Sequence, residues 1–188
     1  KLNKEWLNEN NACSEGITWW EAQAEKDAVK VALKLVDHNY NWANWLLVRL
    51  MTHKQKVQYA VFAAEQVIEI YEKKYPKDDR PRKAIEAAKA FIKDPSDNKK
   101  KAANAAAADA ANAANVAYAI NVAYAAYAAA DAANAANVAY AAYAAAYAAA
   151  YAADADAANV AVSAAMKKRI IEYGISLVES GKESHDSL

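Results

Sequence analysis

The sequence predicts an all-α fold, a multi-helix bundle in which a long alanine-rich segment folds into closely packed helices. Residues 102–165 are about three-fifths alanine and contain no glycine or proline, and alanine has the highest helix propensity. The whole chain of 188 residues has only three glycines and three prolines. Between these breakers the apolar residues recur every three or four positions, which is the helical period.

The first part of the chain predicts three consecutive helices. Apolar residues indicate a short helix over 29–36 and a second one over 42–50. Thr52 and Gln55 have the spacing of a capping box, in which the two side chains bond to each other's backbone at a helix start. We expect the third helix to begin there and to continue until just before Pro76.

A fourth helix is predicted to begin at Asp79, because aspartate caps helices and Pro81 is favoured in the first turn. The segment around Pro95 ends that helix. Ser96 or Asp97 then caps the alanine-rich segment.

The alanine-rich segment contains a direct repeat. The ten residues 109–118 recur as 131–140, an offset of 22 residues or six turns of about 3.67 residues. As one helix the segment would extend for about 100 Å, whereas a compact domain of this length has a radius of gyration near ~16 Å. We therefore expect at least two helices, with a break near 128–131, where Asp131 could cap the second.

The closing helix is predicted from about Val162 to Val178, with Gly181 as its end. The organisation expected is one domain formed by two parts, followed by a tail. These segments are 1–97 (a tryptophan-rich helical layer), 98–181 (the Ala/Tyr/Asn-rich helices and the closing helix) and 182–188 (flexible).

Charge is balanced overall but divided unevenly. Residues 1–101 carry 19 bases and 15 acids, whereas 102–166 carry four aspartates and no base. Zero net charge disfavours nucleic-acid and membrane partners.

Cys13 is the single cysteine and cannot form an internal disulfide. With no charged-then-apolar leader at the start, we expect a cytoplasmic location.

No catalytic constellation is visible in the sequence. The three histidines, His38, His53 and His185, have no Glu or His at the spacing of a metal site. A phosphate-binding glycine loop is also missing. We therefore expect no enzyme activity, no cofactor and no metal site.

Two polar or aromatic groups are candidates for partner binding, and each has a structural alternative. Trp19 and Trp20 are adjacent, so one of them could be exposed as a binding anchor, while the alternative is that the tryptophans form a core. Arg80 and Arg82 could form a polar patch for a partner. Alternatively, the segment around them caps a helix and pairs with Glu86.

The acidic and tyrosine residues of the second half form a third candidate. Four aspartates lie there without a base: Asp109, Asp131, Asp154 and Asp156. Four tyrosines at steps of three and four keep one side of a helix: Tyr140, Tyr143, Tyr147 and Tyr151. The alternative is that the tyrosines cover seams between alanine helices. An ice-binding helix is disfavoured, because the segment contains no threonine.

Several stretches, in this order along the chain, resemble a family of helical immunity proteins of bacterial polymorphic-toxin systems, also found in phage and mobile elements. The stretches are ACSEGITW (12–19), NWANWLLVRL (41–50), AAEQV (63–67), DRPRKAIEAA (79–88), the alanine-rich segment and IIE (170–172). Members of this family are inferred to bind and neutralise a toxin. The resemblance thus implies an all-α inhibitor, and it implies no demonstrated site residue.

The expected function is therefore non-enzymatic inhibition of a protein effector, a toxin or a nuclease. One alternative is a phage counter-defence protein that inhibits a host nuclease. Another is a structural module whose alanine-rich helices pair between chains, with a homodimer as its simplest form.

Overall fold

The computed structural model describes residues 2–115, 117, 120–137, 147, 151–152 and 160–183. All helices and strands assigned in this part of the chain are α-helices, which confirms the predicted all-α class. In chain order they are α1 (Lys4–Glu9), α2 (Ser14–Glu21), α3 (Ala28–His38), α4 (Tyr40–Leu50), α5 (His53–Glu65), α6 (Ile68–Lys74), α7 (Arg80–Lys93), α8 (Asp97–Asn115), α9 (Ile120–Asn134) and α10 (Val160–Glu183).

The tryptophans lie on the first, second and fourth helices and contribute to the core, as the structural alternative predicted. Trp20 is buried, with 8% of its surface exposed. The other four are half-buried and pack against the core: Trp6, Trp19, Trp42 and Trp45. The rings of Trp6 and Trp45 meet edge to face, with centroids 6.2 Å apart. These side chains join α1, α2 and α4.

The capping box at Thr52 is confirmed, but the long helix predicted after it is wrong. The Thr52 hydroxyl accepts the Gln55 amide, and the Gln55 side chain accepts the Thr52 amide at 2.8 Å. The helix ends at Glu65, and α6 begins at Ile68. At this junction the amides of Gln66 and Val67 bond three residues back rather than four, which tightens the last turn and ends α5.

Thr52→Ala is expected to lower the free energy of unfolding by about 1 kcal/mol, because it removes the acceptor at the start of α5. Thr18→Ala is the matched control, since the Thr18 hydroxyl only donates to the Ser14 carbonyl within α2. We expect the control to change stability by less than about 0.5 kcal/mol. Urea unfolding measures both, and equal losses would contradict the capping role.

The alanine-rich segment folds into separate helices, as predicted, but the predicted break is wrong. The chain is helical throughout 128–131, whereas α8 ends at Asn115 and α9 begins at Ile120. Asp131 thus lies in the last turn of α9 and caps no helix start. Both helices end on an asparagine within the repeat.

Helix α9 lies at the centre of the packing, in contact with α5, α6, α7 and α8. Nine alanines between 125 and 136 are buried, and the seven that belong to α9 occupy more than half of its circumference. On α8 only one face is buried, through Ala103, Ala107, Ala110, Ala113 and Ala114. Because alanine is small, neighbouring helices approach α9 closely from several directions. Alanine composition therefore produces a buried central helix here.

The last helix, α10, packs against α3, α4 and α5. The rings of Tyr173 and Phe62 stack with centroids 4.0 Å apart, and the Gln55 amide donates to the Leu177 carbonyl. The prediction that Gly181 ends this helix is wrong, because α10 continues to Glu183.

Helix α7 begins where predicted, with Pro81 in its first turn. The predicted cap is wrong in detail, because the Asp79 side chain accepts no capping bond. Its carboxylate instead pairs with Lys83 at 3.0 Å, while Asp78 accepts the Arg80 amide. The division of the chain at 97/98 stays a prediction.

Candidate partner-binding surface

Four tyrosines from separate parts of the alanine-rich segment meet at one place, and we call them the tyrosine cluster: Tyr124, Tyr127, Tyr147 and Tyr151. The Tyr151 ring stacks on Tyr124 and Tyr127, with centroids 5.5 and 5.4 Å apart. Tyr147 lies against Tyr151 at 5.8 Å and is 40% exposed. The cluster therefore presents an aromatic surface of which Tyr147 is the accessible part.

The position of two of the tyrosines on α9 explains part of this grouping. Tyr124 and Tyr127 are three residues apart on α9 and so share a helix face. The Tyr127 hydroxyl donates to the Asn115 side chain, which joins the end of α8 to α9. Burial raises the pKa of Tyr151, so this hydroxyl stays protonated.

Asp131 lies beside the cluster in the last turn of α9 and is half-buried. Burial raises the pKa of its carboxyl to about 6, against the opposing effect of a hydrogen bond with the Asn134 side chain. In the described part of the chain, no cation forms an ion pair with Asp131. A helix C-terminus also disfavours negative charge. The ionised form of Asp131 is therefore destabilised in the protein without a partner.

The remaining aspartates and Tyr143 of the predicted surface do not join Asp131 in the described structure. Asp109 is exposed on α8, so its carboxylate is more fully hydrated than that of the half-buried Asp131. Tyr143, Asp154 and Asp156 lie outside the described residues, as does Tyr140. The structure thus brings together Asp131, Tyr147 and Tyr151 from the predicted set.

Arg80 and Arg82 each form a bidentate ion pair within the protein. Arg80 donates to both oxygens of Asp78 at 2.9 and 2.6 Å, and the Tyr71 hydroxyl donates to the same carboxylate at 2.7 Å. The hydrogen bond from Arg80 holds the pKa of Asp78 well below its ordinary value. These contacts favour a structural part for Arg80.

Arg82 binds both oxygens of Glu72 at 2.7 Å, and this pair replaces the predicted pairing with Glu86. The bond from Arg82 also lowers the pKa of Glu72. Since α6 carries Glu72 and α7 carries Arg82, the pair clamps the two helices together. Much of the hydrogen-bonding capacity of the Arg82 guanidinium is therefore engaged by Glu72.

Trp19 is half-buried and stacks on His38, with ring centroids 5.1 Å apart. It lines a cavity that is described below. Sequence reasoning missed this cavity, as well as Tyr124, Tyr127 and Asn115. The i, i+3 spacing of Tyr124 and Tyr127 was the available signal, but nothing local indicated that Asn115 would accept from Tyr127.

A family model described as "Imm-5 like putative immunity protein" matches residues 46–175. The chain belongs to this immunity-protein family. The match begins within α4 and ends within α10, so it includes Asp131 and the tyrosine cluster. All five tryptophans precede residue 46 and lie outside it. No curated protein and no solved structure matches the chain.

Two further observations bear on the chemistry of this immunity-family chain. Within the described residues, no group of three or more His, Cys, Asp or Glu side chains is placed to hold a metal ion. None of the described helices combines the length and the apolar character that crossing a membrane requires.

Proposed function

We propose that this protein neutralises a toxin or nuclease effector by binding it, without catalysis, and that Asp131 and the tyrosine cluster form the contact. The family match supports the immunity role. The observation that carries the site is the half-buried Asp131 carboxyl, whose pKa is raised by burial and which has no cation beside it in the described part of the chain.

An effector side chain would supply what Asp131 lacks. A lysine or arginine of the effector would pair with the carboxylate, and adjacent tyrosine faces attract a cation as well. Arginine suits this environment best, since its planar guanidinium both stacks on aromatic rings and bonds carboxylates in a bidentate manner. The proposed partner surface is therefore basic, with an arginine or lysine at its centre.

Charge reversal tests the proposal in cells. Asp131→Lys is expected to abolish protection when the protein is co-expressed with the effector that it neutralises, because two cations would then face each other. Asp37→Lys makes the same charge change at an exposed position of α3, outside the family match, and should protect fully. Circular dichroism establishes that both variants fold.

An isosteric variant covers the case in which Asp131→Lys does not fold. Asp131→Asn keeps the shape of the side chain and is expected to weaken effector binding about 30-fold or more, measured by calorimetry. A folded Asp131→Asn protein with unchanged affinity would refute the contact at Asp131. Failure of the unaltered protein to bind or protect would refute the immunity role itself.

A further inference from the structure

A cavity of about 370 Å³ lies among the first four helices. Its volume is within the usual range of small-molecule sites, roughly 300–1,000 Å³. Four indole rings line it, from Trp19, Trp20, Trp42 and Trp45, together with aliphatic side chains such as Leu7 and Leu35. None of the described lining residues is Asp, Glu, Lys, Arg or His. Apart from Asn11, Asn41 and Cys13, the lining is apolar or aromatic, and it is uncharged.

One polar group in this lining is left without a partner. The indole nitrogen of Trp20 is buried and has no hydrogen-bond acceptor in the described part of the protein, although the side chain is only 8% exposed. Buried indole N–H groups usually find an acceptor. Because Trp20 itself lines the cavity, a small rotation of its ring would bring the indole nitrogen to a molecule in the cavity, which would then supply the missing acceptor.

Cations already cover two of the indole faces. The Lys26 ammonium lies 3.9 Å from the centre of the Trp20 ring, and the Arg49 guanidinium lies 4.1 Å from that of Trp45. Lys26 donates to the Trp20 carbonyl and Arg49 to the Trp45 carbonyl, which holds both charges in place. A cationic ligand is therefore repelled. The same charges attract an anion, but neither residue lines the cavity, so no charged donor there replaces the hydration that an anion would lose.

We propose that this cavity is a binding site for a small neutral molecule with a flat apolar body and one hydrogen-bond acceptor. The apolar body packs among the indole rings, and the acceptor, a ketone or ester oxygen for example, takes the hydrogen bond from the Trp20 indole nitrogen. The site is independent of the effector contact proposed above, because its tryptophans lie outside the family match.

Three naphthalene derivatives test the proposal by calorimetry. We expect 2-acetylnaphthalene, which is neutral and has one acceptor, to bind about three- to tenfold more tightly than 2-ethylnaphthalene, which has the same shape and no acceptor. The anion 2-naphthoate should bind more weakly than the ketone. Absence of binding by the ketone, or equal or tighter binding of either comparison compound, would overturn the proposal.

Three variants test whether the compounds bind in this cavity. Trp20→Phe is expected to remove the preference for the ketone, whereas Trp6→Phe, the same change outside the lining, should keep it. Gly16→Met is expected to abolish binding of both neutral compounds, since an added Cβ at this position would lie 3.2 Å from the Cys13 sulfur and 4.0 Å from the Trp42 ring. If Trp20→Phe does not fold, Gly16→Met provides the test. Binding that persists in Gly16→Met would contradict binding in this cavity.

Discussion

Asp131→Asn is expected to raise the free energy of unfolding by about 2 kcal/mol at pH 7.5 while it weakens effector binding. The carboxyl has a pKa of about 6 in the folded protein against 3.8 in the unfolded chain. The folded state therefore holds its proton more tightly. Each unit of this difference corresponds to about 1.4 kcal/mol, and partial hydration of a half-buried carboxylate reduces the effect.

The direction of the pH dependence follows from this shift. Below about pH 4 both states are protonated, and Asp131 does not destabilise the fold. Between about pH 4 and 6 the unfolded chain loses its proton first, so stability falls as the pH rises. Above about pH 6 both states are ionised and the loss is complete. In Asp131→Asn this decrease in the free energy of unfolding should be missing. Urea unfolding at a series of pH values between about 4 and 7.5 measures it.

Asp109→Asn is a matched control, because Asp109 occupies the same position of the ten-residue repeat but is exposed on α8. It should change stability by less than about 0.5 kcal/mol at any pH. Equal effects of the two variants would contradict the burial of Asp131. Gain of stability with loss of binding is the pattern typical of a functional residue, whereas a structural residue would lose both.

Gly174→Ala is expected to lower the free energy of unfolding by about 1–3 kcal/mol, although alanine is the better helix former by about 1 kcal/mol. An added Cβ would lie 2.7 Å from the Tyr59 ring and 3.2 Å from a Leu47 methyl group. The ring cannot easily move, because Tyr59 is fully buried and its hydroxyl donates to the buried Asn44 side chain. We therefore expect the midpoint of thermal unfolding to fall by about 5 °C.

Gly181→Ala in the same helix is the control. Its Cβ would meet the end of the Gln55 side chain at 2.7 Å, and a flexible amide can move where a buried ring cannot. Helix propensity then offsets the disturbed contact, and the net change should stay within about 1 kcal/mol. An equal or larger loss in Gly181→Ala would show that the contact with Tyr59 is not the cause.

Local signals in the sequence predicted the fold class and several helix starts. Thr52 and Gln55 form the predicted capping box, and Pro81 lies in the first turn of α7, because a cap depends on residues within one turn of each other. Helix ends were predicted less well. Neither Gly181 nor the residues before Asp131 interrupt a helix, since packing against α5 and around α9 stabilises helical backbone there.

The candidate site depended on tertiary contacts. The acidic and tyrosine residues were visible in the sequence, but the contact between Tyr151 and the pair Tyr124 and Tyr127 joins residues distant along the chain. The cavity among the tryptophans likewise needs four helices to form its walls. Residue types could be predicted as candidates, whereas their grouping required the packed helices.

The two copies of the ten-residue repeat distinguish what the sequence determines from what the tertiary structure determines. Composition alone favours helix in both copies, because alanine propensity acts on every residue independently of its neighbours in space. Asp109 and Asp131 have the same ten-residue context, yet one is exposed on α8 and the other half-buried on α9. Only the tertiary structure decides this difference, because the solvation of a carboxylate depends on the helices packed around it.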